Sequence, residues 1–303
     1  LASEVKEAEE RVRTALRNAG FRLSSKKITV NLSPANVRKE GTACDLPVAV
    51  AVLAAYGILE PSSLKETGFL GELGLDGSIK PVRGVLSMVL AMAESGIKRC
   101  FLAEENVAEG IAADCLDIIR IRSLQEIIEL LNGTGKLRIE KDQGFCAADT
   151  NYSVDFSEVN GQRLMRRATE VAVAGGHNLL YIGPPGSGKS MMARRIPTIM
   201  PALSREEQLE VSKVYSICGM LPQGHALIGT RPYRSPHHTI SAQALTGGGI
   251  WPKPGEISLA SRGVLFLDEL AEFEKKTLEI LRQPLEEHCV TVSRVNSSFT
   301  FPA

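Results

Sequence analysis

Apolar positions in the first 131 residues alternate between the helical spacing of three to four residues and the strand spacing of two. The helical spacing predicts helices over residues 5–16, 48–56, 85–95 and 124–131. Strand patterns cover residues 28–32, 99–102 and 118–121, and residues 67–82 predict a hairpin that turns at Asp76-Gly77. The first part of the chain is therefore predicted to mix helices with strands.

The apolar pattern is lost between Asn132 and Tyr152, where Gly, Lys, Asp and Thr are typical of a linker. A chain of 303 residues also exceeds the usual size of one core. We therefore predict a first domain over residues 1–133, a linker over 134–154 and a second domain over 155–303.

In the second domain, the spacing predicts a helix over residues 162–174 and a short apolar strand over 178–182. Residues 222–263 are rich in Gly and Pro and predict a loop-rich insertion. Near the end, residues 290–292 and 299–301 have strand patterns. Because the chain opens at Leu1 inside a helical pattern and stops at Ala303 just after a strand pattern, we expect it to be a fragment.

Composition indicates an ordinary globular protein, with 44% hydrophobic and 23% charged residues. Lys plus Arg and Asp plus Glu both number 35, so no bulk charge would hold the molecule on nucleic acid or an anionic membrane. The six cysteines form no C-x-x-C pair, which argues against a zinc site or a redox motif. No apolar run approaches the ~20 residues of a membrane span. The sequence therefore predicts a cytoplasmic protein.

Residues 183–190 (GPPGSGKS) match the complete G-x-x-x-x-G-K-[ST] pattern of phosphate-binding loops. A predicted strand precedes the loop and a predicted helix follows it, as phosphate binding by backbone N–H groups requires. Lys189 would reach the β- and γ-phosphates of ATP, and the Ser190 hydroxyl would ligate Mg²⁺. A glycine turn with a surface lysine is the alternative. The candidate nucleotide-binding residues of the loop are Gly183, Pro184, Pro185, Gly186, Ser187, Gly188, Lys189 and Ser190.

A second signal lies 79 positions beyond Lys189, where the apolar run 264–267 ends in Asp268-Glu269. Such a run predicts a strand buried on both faces. Two acids at a strand end are equally typical of a solvated terminus. After a complete phosphate loop, however, they favour Asp268 as a Mg²⁺ ligand and Glu269 as the group that polarises the attacking water.

The insertion contains a set of cationic and aromatic residues suited to phosphate charge and base stacking. Its members are Arg231, Tyr233, Arg234, His237, His238, Trp251 and Lys253. A solvated loop that packs against a neighbouring subunit is the alternative. Adjacent histidines are expected to point apart, which argues against a shared metal. Further on, Arg282 or Arg294 could stabilise charge in an adjoining subunit's site, although an arginine in such a position is more often a surface residue.

Four segments of the second half together resemble the magnesium-chelatase-like AAA+ proteins of the ComM (YifB) family. They are residues 183–190, 231–241 (RPYRSPHHTIS), 254–259 (PGEISL) and 263–270 (GVLFLDEL). Residues 39–47 (KEGTACDLP) and 71–77 (GELGLDG) resemble the N-terminal Lon-like domain of that family. The implied fold class is α/β, with a Lon-protease-like α+β domain followed by an AAA+ P-loop NTPase domain of three αβα layers.

The resemblance implies a homo-oligomer, a hexamer, that uses ATP and Mg²⁺ to drive a motor on branched DNA in recombination and natural transformation. It places residues 155–162 beside the adenine, with Val159 and Gly161 closest, and suggests DNA contacts through the 231–253 insertion. Family members continue into a sensor strand and a helical lid, so the fragment alone is expected to hydrolyse ATP poorly. Two alternatives stay open, a chelatase subunit that inserts Mg²⁺ into a porphyrin and an ATP-dependent peptidase.

The peptidase alternative conflicts with the residues at the Lon-type positions. The Lon-type site resembles Lys-Asp-Gly-Pro-Ser-Ala-Gly, with a serine nucleophile and a lysine base from a following helix. Aligning residues 39–45 on it places Ala43 at the serine, and aligning 82–86 places Leu86 at the lysine. Neither Thr42 nor Cys44 beside the vacant position would be activated without a base. We therefore predict a structural domain without peptidase activity.

Overall fold

The computed structural model describes residues 3–21, 28–31, 42–141, 151–222, 226–249, 252–294 and 297–303. Two compact units divide the chain. The first comprises residues 1–146 with 223–226, and the second comprises 147–222 with 227–303. Both contain helices and strands, which confirms the mixed α/β fold class. In the described ranges, no helix is long and apolar enough to cross a membrane.

The first unit alternates helices with short strands. Its helices are α1 (Ser3–Asn18), α2 (Asp45–Ala55), α3 (Val85–Glu94), α4 (Val107–Ala112) and α5 (Leu124–Leu131). Its strands are β1 (Thr67–Leu70), β2 (Glu72–Leu73), β3 (Ile79–Lys80), β4 (Arg99–Ala103) and β5 (Asp117–Ile121). Strands β1, β4 and β5 form a parallel sheet in that order, and β2 pairs with β3 in a hairpin.

The core of the first unit lies where α1, α2 and α5 pack against this sheet. Leu16, Leu53, Phe101 and Ile121 are fully buried there. Helix α5 begins at a cap in which the Ser123 hydroxyl accepts the Glu126 N–H, so a first-turn donor is satisfied. The predicted helices of this unit are confirmed to within a few residues, and α4 is an addition that the sequence pattern did not predict.

Two strand predictions in the first unit need correction. The predicted hairpin over 67–82 is confirmed only for β2 and β3, because Thr67–Leu70 pairs in parallel with β4 instead. Residues 28–31 form no strand, and Ile28 and Val30 are 41% and 52% exposed. Alternating apolar residues form a strand only if a neighbouring strand pairs with them, and no described strand pairs with residues 28–31.

The second unit has shorter elements. Its helices are α6 (Arg163–Gly175), α7 (Lys189–Arg195), α8 (Arg205–Cys218), α9 (Ala242–Thr246), α10 (Glu256–Leu259), α11 (Lys275–Glu279) and α12 (Arg282–Glu287). Its strands are β6 (Tyr233–Arg234), β7 (Gly247–Gly248), β8 (Lys253–Pro254), β9 (Val264–Leu265), β10 (Cys289–Arg294) and β11 (Ser297–Pro302). Strands β7–β8 and β10–β11 are antiparallel pairs, whereas β6 and β9 are parallel.

The β6–β9 pair brings the insertion next to the acidic strand end. The Val264 N–H donates to the Pro232 carbonyl at 2.8 Å, and the Phe266 N–H donates to the Arg234 carbonyl at 2.8 Å. A Cβ at Gly263 would lie 2.0 Å from the Pro232 carbonyl oxygen, so only glycine allows this approach. Because the strands are parallel, the residues after β6 and those after β9 leave the sheet at the same edge.

Two strand predictions in the second unit also need correction. Residues 178–182 have no strand pairing, and Leu180 and Ile182 are 64% and 90% exposed. The apolar run 264–267 forms a strand only over Val264–Leu265, and all four of its residues are half-buried. Strand β9 pairs only with β6 among the described strands, so its other edge lacks the neighbour that would bury it.

The segment predicted as a linker is irregular where the structure describes it. The Glu140 N–H donates to the Ile118 carbonyl at 2.8 Å, and Arg120 pairs with the Glu140 carboxylate at 3.2 Å. Residues 142–150 lie outside the described residues. The beginning of this segment is thus held against the first unit.

Candidate nucleotide-binding site

The phosphate-loop motif folds into a turn that leads directly into α7. Gly186 and Gly188 have φ values of 78° and 88°, a left-handed conformation that costs glycine little. Gly188 caps α7, which begins at Lys189. A turn of this kind can direct successive backbone N–H groups toward a shared concavity suited to an anion. Residues 183–186 are exposed, so a ligand could reach the loop.

The Lys189 ammonium lies across this loop. Its Nζ donates to the Gly183 and Pro184 carbonyls at 2.9 and 3.0 Å and approaches the Ser187 Oγ at 3.5 Å. Three groups at the mouth of the loop therefore hold a positive charge in place. A phosphate bound there would lie beside that charge.

The structure joins the loop to the acidic strand end through one hydrogen bond. The Ser190 Oγ donates to the Asp268 Oδ2 at 2.7 Å, across 78 residues of sequence. The other carboxylate oxygen, Oδ1, accepts the Glu269 N–H at 3.1 Å. Two oxygen-bearing side chains that the sequence singled out separately thus meet at one point.

Glu269 turns away from this contact. Its φ of 53° lies in the left-handed region, and its side chain is 68% exposed. Its Oε2 lies 3.6 Å from the His238 Nδ1. No sequence pattern predicted this approach, although His238 and Glu269 both follow parallel strands that end at the same edge.

The expectation that the adjacent histidines point apart was wrong. The rings of His237 and His238 are 4.0 Å apart between centroids and tilted by 36°. Adjacent side chains point apart in regular strands and helices, but these two residues lie in an irregular turn after β6. Within the described residues, no cluster of three His, Cys, Asp or Glu side chains could hold a metal ion.

Arg231 and Arg234, the two arginines of the cationic and aromatic set, are both paired with carboxylates. Arg231 is 9% exposed, donates to the Arg262 carbonyl at 2.8 Å and pairs with Glu207 at 3.2 Å. Arg234 makes a bidentate pair with Glu256, both bonds being 2.6 Å. Partners 24 and 22 residues away in sequence therefore occupy both guanidinium groups.

Three other members of the cationic and aromatic set differ in their surroundings. The Tyr233 ring stacks on Phe266 at 6.4 Å, and burial raises the pKa of its hydroxyl. Lys253 is exposed on β8. Trp251 lies outside the described residues. Lys253 is thus an exposed cationic member of the set.

The segment expected to flank the adenine lies next to the loop. Val159 is fully buried with Phe156 and with Met192 of α7, and its backbone N–H and carbonyl are both already hydrogen-bonded within the protein. Gly161 has a φ of 75°, and the Gln162 amide donates to the Ser187 carbonyl at 3.4 Å. The 155–162 segment is thus linked to the phosphate loop by packing and by this hydrogen bond.

Both candidate arginines lie near the C-terminal strands. Arg282 is 81% exposed and pairs with Glu286 one helical turn away at 3.0 Å. Arg294 lies on β10, but its side chain is outside the described residues.

Two family models match the chain. The model described as magnesium chelatase, subunit ChlI, matches residues 155–303. The model described as subunit ChlI of Mg-chelatase matches residues 1–106. The first contains the phosphate loop and both acids. The fold and these matches define the class, an α/β protein with a magnesium-chelatase-type AAA+ core.

Comparison with individual proteins identifies the family within this class. Competence protein ComM of Haemophilus influenzae is 43% identical over 303 residues, which cover 99% of this chain and 59% of that protein. The uncharacterized protein YifB of Escherichia coli is 42% identical over 299 residues, covering 99% of this chain and 58% of that protein. Lon protease 2 of Bacillus subtilis is 27% identical over 121 residues, 40% of this chain and 21% of that protein.

The chain therefore belongs to the ComM/YifB family of magnesium-chelatase-like AAA+ ATPases with a Lon-like N-terminal domain. It spans about 59% of the length of the ComM relative.

Proposed function

We propose that this chain binds ATP with Mg²⁺ and hydrolyses it at the phosphate loop. The observation that carries the proposal is the 2.7 Å hydrogen bond between Ser190 and Asp268. It brings the last residue of the phosphate-loop motif against the first acid of the strand end, which is the pairing that MgATP hydrolysis needs.

Each side chain has a separate role in this proposal. The Lys189 ammonium would leave the loop carbonyls to pair with the β- and γ-phosphates. The Ser190 hydroxyl and the Asp268 carboxylate are oxygen donors, which fits Mg²⁺. The ion, when bound, neutralises phosphate charge. Glu269 would accept a proton from the attacking water. Val159 and Gly161 would lie on the adenine side, where Gly161 is exposed and Val159 is buried.

We further propose that the full-length protein is a homo-oligomeric, hexameric motor acting on branched DNA. The support is its similarity to a protein named for competence, together with the exposed Lys253 on the β7–β8 hairpin. Arg231 and Arg234 contribute to the fold of the insertion rather than to the DNA contact, because each is already paired with a carboxylate.

Forked DNA is expected to stimulate ATP hydrolysis by the full-length protein. Lys253→Gln should weaken that stimulation and reduce the salt dependence of DNA affinity by about one released counterion, because it removes one phosphate contact. The rate without DNA should not change. Steady-state hydrolysis and DNA titration at several salt concentrations measure both effects.

Lys276→Gln provides the matched control, since Lys276 is also an exposed lysine of the second unit. It should leave the stimulation intact. Hydrolysis that is indifferent to forked DNA would contradict the motor and favour a chelatase-type role. Stimulation that survives Lys253→Gln would show that the insertion lysine is not the contact.

We also propose that the Lon-like domain has no peptidase activity. Ala43 offers no nucleophile, and Leu86 is fully buried with its N–H donating to the Glu109 carboxylate at 2.7 Å. The Thr42 hydroxyl donates to Glu72 at 2.5 Å, but a carboxylate is a much weaker base than a lysine amine. Residues 39–41 lie outside the described residues.

Incubating the full-length protein with ATP and an unfolded protein should therefore release no peptides. Mass spectrometry of the small products makes the measurement sensitive. Peptide release that disappears in Thr42→Ala or Cys44→Ala would overturn the proposal, because either result would identify a substitute nucleophile. Release that survives both changes would indicate a contaminating protease.

A further inference from the structure

The His238 imidazole is the polar side chain that faces the Glu269 carboxylate. The His238 Nδ1 and the Glu269 Oε2 are 3.6 Å apart, slightly longer than a hydrogen bond. A small rotation of either side chain would close the gap. Because the Glu269 side chain is 68% exposed, it has several rotamers to choose from unless a neighbour selects one.

The imidazole itself is held by other rings. His238 stacks against His237 at 4.0 Å and meets the Phe273 ring edge-on at 6.4 Å. The His237 Nδ1 lies 2.9 Å from the Thr239 Oγ1 and accepts the Thr239 N–H at 3.4 Å. Phe273 is 5% exposed. A largely buried ring and a hydrogen-bonded ring therefore fix the position of His238.

The backbone brings the histidine and the glutamate together. His238 follows β6 and Glu269 follows β9, and the parallel pairing of these strands makes both segments leave the sheet at one edge. Phe273 comes from the turn after Glu269, so the same segment supplies both the glutamate and part of the histidine's support. The arrangement thus couples two segments separated by 31 positions, from residue 238 to residue 269.

We propose that His238 is a positioning residue for ATP hydrolysis. It fixes the Glu269 carboxylate in the rotamer that receives the proton of the attacking water, and it touches neither nucleotide nor Mg²⁺. An imidazole with a proton on Nδ1 donates toward the carboxylate and restricts its rotation. Preorganising a catalytic group in this way raises the rate of the chemical step without changing substrate affinity. The inference rests on the proposed ATPase function of Glu269.

Steady-state ATP hydrolysis by the full-length protein tests the role. His238→Ala should lower kcat about tenfold, by the usual effect of losing one positioning contact, and leave KM for ATP unchanged. His238→Asn should keep most of the rate, since its amide nitrogen can donate from near the position of Nδ1. His288→Asn is the matched control, because His288 is the C-cap of α12 and adopts a left-handed conformation that asparagine tolerates.

A double variant separates positioning from a general structural effect. In a Glu269→Gln background, measured by single turnover, His238→Ala should cause no further loss, since its effect passes through the missing carboxylate. An unchanged or increased kcat in His238→Ala overturns the proposal. An equal loss in both backgrounds also overturns it, because the damage would then not depend on Glu269.

Measuring ATP affinity distinguishes a negative result for His238 from failure of the ATPase proposal itself. If the unsubstituted protein binds ATP through Lys189 and hydrolyses it, a negative His238 result counts against the positioning role alone. If ATP binding does not depend on Lys189, the ATPase site assignment fails and the role of His238 fails with it.

Discussion

Lys189→Ala is expected to weaken ATP binding by roughly two orders of magnitude, from about 3 kcal/mol of lost charge-assisted hydrogen bonding. The backbone N–H groups of the loop remain, but they carry no full charge to offset that of the phosphates. Among the described residues, the hydrogen bonds of the ammonium are to neutral groups of the loop. Isothermal titration of the full-length protein with ATP measures the change.

Lys275→Ala serves as the control, because it removes an exposed lysine at the start of α11 in the same unit. Its dissociation constant should match that of the unsubstituted protein. Thermal unfolding of both variants checks that neither has lost its fold. An unchanged affinity in Lys189→Ala would show that the loop is not the nucleotide site.

Glu269→Gln should preserve ATP affinity and slow turnover by about 10²–10⁴-fold, the range typical for loss of a general base. The amide keeps the size of the carboxylate but does not accept a proton at neutral pH. Ser190 and Asp268 are untouched, so the proposed Mg²⁺ donors remain as they are. Nucleotide titration and single-turnover hydrolysis give the two quantities separately.

Glu272→Gln is a close control, since Glu272 is also exposed and lies three positions further along the same segment. It should leave turnover unchanged. A parallel loss of affinity and rate in Glu269→Gln would instead place Glu269 among the groups that hold the nucleotide. Normal turnover would exclude it as the base.

The sequence predicted the parts of the site that depend on local chemistry. A phosphate loop needs glycines, a lysine and a hydroxyl within eight positions, so residues 183–190 were recognisable without the fold. Asp268 was recognisable because it ends an apolar run. That Ser190 contacts Asp268 agrees with these roles, although the roles themselves stay predictions until they are measured.

The parts that were misjudged depend on contacts between distant residues. The pairing of Arg231 with Glu207 and of Arg234 with Glu256 was not predicted, because the partners are more than 20 positions apart in sequence. The 178–182 strand was predicted from apolar residues alone, although a strand also requires a paired neighbour. His238 was not connected with Glu269, since nothing local indicates that β6 and β9 are adjacent.

The backbone contact at Gly263 limits how this protein can change during evolution. Main-chain atoms set the distance there between the segment after β6 and the segment after β9, because Gly263 packs against the Pro232 carbonyl. Side chains around the site can therefore be exchanged one at a time while the two segments keep their spacing. A mutation at residue 263 has no such freedom, because even a methyl group would separate the strands. This glycine would be among the slowest positions in the chain to diverge.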